Sequence, residues 1–422
     1  MTRSEELLQR AEKVTPVASQ TYSKSHRYFC GPHAPKFLEH GKGGSVQDVE
    51  GRTFLDFILG LGPITLGYNY PEINDAIIAQ LSKGITFSQS TELEVELAEK
   101  LVEVIPCAEM VRFVKNGSDA TTGAIRLARA FTGRDHVALC GYHGMHDWSI
   151  GTTPLCDGVP DAVKALSHVF EYGNMDSIDR IFKKHPKEIS AVILEPIQGE
   201  SSDKNFLIQL KERCQQEGAL LIFDEVISGF RVALGGAQEL LGITPDLASI
   251  GKGMANGMPL SAIVGRRDVL EKISDGVFIS TTFGGECLSI AAALKTIEVL
   301  ERPESFSHIW SISEAWKKGA HALQQKLKLD HSIQLLGEAP HCGFQFLPHK
   351  NHSPMDRMSV YQSKLIQEGF LTVGINNFCL SHSLEDVQAY LSALEKALQD
   401  VVALDDGLLE VPHPPIQPVF KR

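Results

Sequence analysis

A lysine and an aspartate, each closing an apolar run, carry the first chemical signal in this chain. Leu247-Ala248-Ser249-Ile250-Gly251 runs into Lys252, and Ala219-Leu220-Leu221-Ile222-Phe223 runs into Asp224-Glu225-Val226. A lysine amine can condense with an aldehyde. An aspartate can keep a pyridine nitrogen protonated, so that the ring takes up electrons. Together they are the pair that a covalently held pyridoxal phosphate requires. Each alone is more simply a charge flanking a strand; the surroundings outweigh that reading.

Other apolar runs end the same way. Val111-Arg112-Phe113-Val114 leads into Lys115-Asn116-Gly117-Ser118-Asp119-Ala120. Ala124, Leu127, Ala128 and Phe131 then recur at helical spacing, ahead of Gly133. Gly117 and Ser118 at a helix N-terminus would offer free backbone N–H groups and the positive end of the dipole, which suits a phosphate. Ser118 as a plain helix cap needs no ligand, and that reading stands beside the first. Val137-Ala138-Leu139-Cys140 ends at Gly141-Tyr142-His143-Gly144, where Tyr142 can lie on a cofactor ring and His143 stands next to it. Ala191-Val192-Ile193-Leu194 ends at Glu195-Pro196-Ile197-Gln198-Gly199-Glu200, with Glu195 at the strand end. Open α/β sheets bind ligands outside the carboxyl ends of their strands. Five such ends, 115–118, 142–143, 195–200, 224–226 and 252, are more specific together than any one alone.

The elements that must position these residues read as α/β. From about 46 to 300, short apolar runs alternate with helical patterns, the signature of a mostly parallel sheet with crossover helices. Ala262-Ile263-Val264 is a further strand, and Phe206 to Glu217 a helix closed by Gly218. Ser4 to Val14 reads as a short polar helix, and 15–45 as irregular. In the last third, a charged helix near 305–330, strand-like pieces at 341–347 and 370–375 and a helix at 384–402 read as α+β. The tail Val411-Pro412-His413-Pro414-Pro415 is expected to be extended. The expected division is an N-terminal segment, 1–50, covering the active site as part of a small domain, then a large domain, 51–300, and a small C-terminal domain, 301–422.

With 422 residues the chain exceeds one ordinary core. Its 43% hydrophobic and 22% charged content are those of a globular protein. A net charge of −12 disfavours nucleic acid or an anionic membrane as partner. No apolar run reaches the roughly 18 residues of a membrane span, and the first residues lack a signal peptide's apolar stretch. The 8 cysteines form no C-x-x-C pair, so their pattern indicates neither a metal site nor a disulfide framework, and a reducing cytoplasm is expected.

Taken together these stretches resemble the class III, fold-type I pyridoxal-phosphate aminotransferases, in the subgroup of glutamate-1-semialdehyde aminomutase. The resemblance rests on 221–226, Gly229-Phe230-Arg231, Pro245-Asp246-Leu247, Gly251-Lys252, Gly62-Pro63-Ile64-Thr65-Leu66-Gly67, Val111-Arg112-Phe113 and 125–129. It implies a large domain with a mostly parallel seven-stranded sheet and a smaller α+β domain. It implies that Lys252 holds the cofactor and moves the proton, that Asp224 holds the ring nitrogen protonated, and that Val226 and Tyr142 pack the two ring faces. Gly117 and Ser118 would bind the phosphate, Gln198 or Glu200 would lie near the phenolic oxygen or the substrate, and Thr282 would reach the phosphate of a neighbouring subunit. A homodimer with shared active sites follows.

Departures from the aminomutase pattern bear on the reaction. Ser23 matches its substrate-binding serine, but His26 stands where its arginine would be, with Lys24 and Arg27 nearby. Ile375-Asn376-Asn377-Phe378 lacks the acid that the aminomutase places there. The Lys115–Ala120 loop, Phe283-Gly284-Gly285-Glu286 and Gln20-Thr21-Tyr22-Ser23-Lys24 are more similar to the branch that aminates sugars of bacterial surface polysaccharides. In that branch the likeness is to aminotransferases of an oxidised eight-carbon sugar acid with glutamate as donor. The expected partners are therefore an amino-acid donor and a carbonyl sugar acceptor, with the aminomutase reaction as the alternative.

Overall fold

A computed structural model describes residues 1–199 and 202–417. The chain forms two compact units. One comprises Met1–Leu61, Leu66–Tyr70 and the chain from Ser307 on; the other comprises Gly62–Thr65 and Pro71–Phe306.

Three strands come first, β1 (Leu38–Lys42), β2 (Ser45–Asp48) and β3 (Thr53–Asp56), paired as antiparallel neighbours. The reading of 15–45 as irregular is corrected here. β1 is exposed along nearly its whole length, so it carries no apolar alternation to betray it. β2 and β3 likewise belong to this first unit, not to the parallel sheet expected from residue 46 on.

The second unit is built on β4 (Met110–Val114), β5 (His136–Cys140), β6 (Ser167–Val169), β7 (Ile189–Leu194), β8 (Leu220–Glu225), β9 (Leu247–Ile250) and β10 (Ser261–Gly265). Among the described residues they form one sheet in the order β4-β10-β9-β8-β7-β5-β6. β5 to β9 run parallel, and β10 is antiparallel to both β4 and β9. Every residue of β7, β8, β9 and β10 is buried, as central strands covered on both faces must be. Three-residue β6 is the edge strand that sequence reading missed; His168 and Val169 leave it no clear apolar run. The helix Gly117–Thr132 buries Ala120, Ala124, Leu127 and Ala128 in the core that Ile222 and Ile263 also enter. A methyl on Gly123 would stand 2.3 Å from Ile263 Cδ1, so a glycine is what lets this helix lie close on the sheet. Gly133 ends the helix in the left-handed conformation at φ +68°.

The first unit continues with β11 (Ile333–Leu336), β12 (His341–Phe346), β13 (Phe370–Leu371) and β14 (Ile375–Asn377), with helices Pro354–Gln367 and Leu384–Asp405, and with the helix Pro303–Lys326 from Ser307 on. The strand expected at 370–375 is two strands in different sheets. β13 pairs parallel with β3, β14 antiparallel with β12, and Gly374 turns the chain between them at φ +96°. Fully buried Arg357 donates to both oxygens of Asp405 at 3.1 and 3.0 Å and to the carbonyls of Ser332 and Leu347. Among the described residues no helix is long and apolar enough to cross a membrane, and all eight cysteines are free.

Candidate active site

β8 extends two residues past its apolar run, so Asp224 lies on the strand itself, 6% exposed. Alternation along the strand sends Asp224 and Glu225 to opposite faces. Fully buried Glu225 accepts from Ser228 Oγ and from the N–H groups of Ala237 and Gln238, which makes it a structural acid. Burial pushes its carboxyl up, against those hydrogen bonds.

Asp224 instead meets His143. Asp224 Oδ2 lies 2.7 Å from His143 Nδ1, and Oδ1 accepts from the Val226 N–H at 3.2 Å. His143, 2% exposed, also has Nε2 at 3.0 Å from the Cys140 carbonyl. A carbonyl only accepts, so Nε2 carries a proton. His143 therefore has both ring nitrogens engaged by protein and sits behind Asp224.

Lys252 follows β9 through Gly251 and opens a short turn, Lys252–Ala255, with its own φ at +37°. That conformation is rare for a residue with a side chain and is held only when neighbours fix it. Here Asn256 Oδ1 accepts from Thr65 N at 3.0 Å, and Gly253 has room for no side chain, since a Cβ would meet Thr65 Oγ1 at 2.6 Å. Arg231, 1% exposed, donates to the Gly62 carbonyl at 2.5 Å and to Thr65 Oγ1 at 3.3 Å. Segments 62–65 and 229–231 thus prop the lysine turn.

The anion cradle forms where Gly117 begins its helix. Asn116 is the N-cap, and Asp119 Oδ2 accepts from its N–H at 2.9 Å. Ser118 is therefore not the cap; its Oγ accepts from Met145 N at 3.2 Å. The first N–H groups of any helix have no partner within it, and a phosphate fits that end. A Cβ on Gly117 would lie 2.8 Å from Val226 Cγ1, which brings the cradle against the end of β8. Lys115 pairs with Glu286 at 3.2 Å. Glu286 caps the helix Cys287–Leu300 through the N–H groups of Leu288 and Ser289. Burial opposes its ionisation, but the bonds from Ser289, Leu288 and Lys115 prevail and hold its carboxyl below the usual range.

Glu195 closes the site at the end of β7. Burial and then the Asp224 charge push its carboxyl up to about 7, against His143 and Lys252. A Cβ on Gly141 would stand 2.9 Å from Gln198 Nε2 and 3.4 Å from Glu195 Oε1, so the ends of β5 and β7 meet. The Gln198 amide donates to the Cys140 carbonyl at 3.3 Å. Glu200 lies outside the described residues. Tyr142 is half-exposed, and burial followed by Asp224 raises its phenol. The protein thus brings Asp224, His143, Val226, Gly117, Ser118, Gln198, Glu195 and the Lys252 turn to neighbouring strand ends. This set fits pyridoxal phosphate: a side-chain-free cradle at a helix N-terminus, a buried carboxylate for a ring nitrogen and a lysine.

Thr282 lies in an exposed stretch with Phe278 and Phe283, 77% and 56% exposed. Ser23, Lys24, His26 and Arg27 belong to the first unit, in the turns Tyr22–Lys24 and His26–Tyr28. Burial and adjacent Arg27 lower His26, which leaves that ring neutral at pH 7, while Lys24 and Arg27 are exposed. Asn376 and Asn377 make internal bonds, although Asn376 Nδ2 is buried without a partner. Asn376 Oδ1 accepts from Thr372 and Tyr390, and Asn377 Nδ2 donates to the Ile58 carbonyl.

A family model described as aminotransferase class-III matches residues 30–377. A 3-aminobutyryl-CoA aminotransferase of Cloacimonas acidaminovorans (strain Evry) is 41% identical over 309 residues, 72% of this chain and 74% of that protein. A glutamate-1-semialdehyde 2,1-aminomutase of Desulfatibacillum aliphaticivorans is 34% identical over 429 aligned residues, 95% of this chain and 100% of that protein. The solved PLP form of the FumI protein of Sphingopyxis sp. MTA144 matches with a TM-score of 0.88 at 29% identity, covering 98% of this chain and 99% of that one.

Proposed function

The chain belongs to the class III aminotransferases, fold-type I enzymes that use pyridoxal phosphate, and from that premise we propose a donor, an acceptor and a role for each site residue. The donor is an amino acid, glutamate. The acceptor is a carbonyl sugar acid, 8-oxo-3,8-dideoxy-manno-octulosonate, in the assembly of surface polysaccharide or lipopolysaccharide. When bound, the cofactor supplies the electron sink.

Lys252 is the attachment point and moves the proton at the reacting carbon. Asp224 holds the ring nitrogen protonated, and His143 positions Asp224. Gly117 and Ser118 hold the phosphate, Tyr142 and Val226 flank the ring, and Glu195 and Gln198 line the phenolic side. The chains work as a homodimer in which Thr282 completes the neighbouring subunit's phosphate site. Thr282 itself stands in an exposed stretch beside Phe283, which leaves it accessible to a second chain.

The observation that carries the sugar reading is the Lys115–Glu286 pair. It joins the two stretches, 115–120 and 283–286, that resemble the sugar-aminating branch. Against the aminomutase reading stand Asn376 and Asn377, amides where an acid would be needed, with Asn376 Oδ1 and Asn377 Nδ2 engaged by internal bonds. The test is donor dependence. Amination of the oxidised sugar acid should require glutamate, and glutamate-1-semialdehyde should not be isomerised when no donor is added. Isomerisation without donor would establish the aminomutase instead.

A further inference from the structure

Three histidines meet near the amino end of β5, the strand whose carboxyl end leads to Tyr142 and His143. His136 opens β5, His168 is the middle residue of β6, and His185 closes the helix Met175–Lys184. Their rings stack, with centroids 5.0 Å apart for His136 and His168, 4.5 Å for His136 and His185, and 4.2 Å for His168 and His185. One nitrogen from each ring lies within 4.8 Å of the other two. His136 Nδ1 and His168 Nε2 are already 2.8 Å apart.

Glu188 orients the His185 ring and lies near that of His136. Its Oε2 is 3.2 Å from His185 Nδ1 and 3.8 Å from His136 Nε2. A carboxylate only accepts, so in the neutral His185 ring Nδ1 carries the hydrogen and Nε2 keeps its lone pair. That Nε2 is buried and without a hydrogen-bond partner. An imidazole that gives one N–H to a carboxylate and leaves its other nitrogen bare is arranged as metal-binding histidines are.

We propose that His136, His168 and His185, oriented by Glu188, bind a divalent transition-metal ion of the zinc type. Three imidazoles suit zinc, copper or nickel rather than magnesium or calcium. Tetrahedral zinc with bonds of about 2.0–2.1 Å sets ligand nitrogens about 3.3 Å apart, so nitrogens now within 4.8 Å of one another close by at most about 1.5 Å. β5 is five residues long, which separates this end from the cofactor end by roughly 13 Å at about 3.3 Å per residue. The ion would therefore take no part in amino transfer. It would fasten the short edge strand β6 to β5 and to the helix that leads into β7.

The test is a calorimetric titration of the tag-free, pyridoxal-phosphate-loaded protein with zinc chloride after chelator treatment. It is run beside His168→Gln, His185→Gln and, at an exposed position that leaves the ring stack intact, Glu188→Gln. One zinc per chain with micromolar affinity is expected, weakened at least about tenfold in each variant. Zinc should raise the Tm of the wild type and not of the histidine variants. The free cysteines are rival ligands, and the variants separate them. Zinc binding that is unchanged across all three variants, or no stoichiometric uptake at micromolar zinc, would overturn the proposal.

Discussion

Lys252 adopts a left-handed backbone, φ +37°, because the chain must turn sharply out of β9 to present the amine at the strand ends. Lys252→Ala should fold, still bind the cofactor without a covalent bond and lose turnover entirely; retained transamination would remove the lysine from its role. Asp224→Asn should cost at least about a hundredfold in rate while the melting curve stays cooperative, because a neutral amide does not hold the ring nitrogen charged. Glu195 gives a pH signature. Its carboxyl is raised from the ordinary 4.5 to about 7 in the folded chain. Between those values the unfolded chain releases this proton and the folded chain keeps it. The stabilisation from Glu195 is thus fully present below 4.5 and is lost as pH rises through about 7. The Tm of the cofactor-free wild type should accordingly fall more between those pH values than that of Glu195→Gln. Equal pH slopes would show that the carboxyl titrates normally.

The Lys115–Glu286 pair links the loop after β4 to the start of the helix Cys287–Leu300, with both side chains largely buried. A double-mutant cycle of Lys115→Met and Glu286→Gln should give a coupling of about 1 kcal/mol, read from cofactor-loaded stability. Additive effects would mean that the two ends are fixed independently. In the first unit, Arg357→Met leaves Asp405 buried without its partner and should destabilise by about 3–5 kcal/mol, seen as a lower denaturant midpoint. These contacts also mark where sequence reading stops. β5, β7, β8 and β9 were legible because buried parallel strands are continuous apolar runs, and Lys252 and Asp224 because they end such runs. β1 and β6 were not, since an exposed edge strand shows no apolar face. The props Arg231 and Thr65 stood in recognised motifs, but their task depends on contact between segments far apart in sequence. The histidine cluster is of the same kind, with 32 residues between His136 and His168.

For the whole molecule the proposal requires a dimer, which sedimentation at working concentration should show. Thr282→Ala should weaken cofactor binding about 5- to 150-fold, the cost of one lost hydrogen bond to phosphate. Mixed dimers of Thr282→Ala and Lys252→Ala chains should regain one working site, whereas full independence of the two chains would refute the sharing. The relatives span aminotransferases and an aminomutase, so the direction of amino flow is the point on which the account rests. The most direct measurement is a two-step spectrophotometric half-reaction on the purified, cofactor-loaded protein. Adding glutamate alone should bleach the visible band of the lysine-bound cofactor and release one equivalent of 2-oxoglutarate per site. Adding the oxidised sugar acid should then restore the band and yield the amino sugar. A band that no amino acid bleaches, together with donor-free turnover of an amino aldehyde, would contradict it.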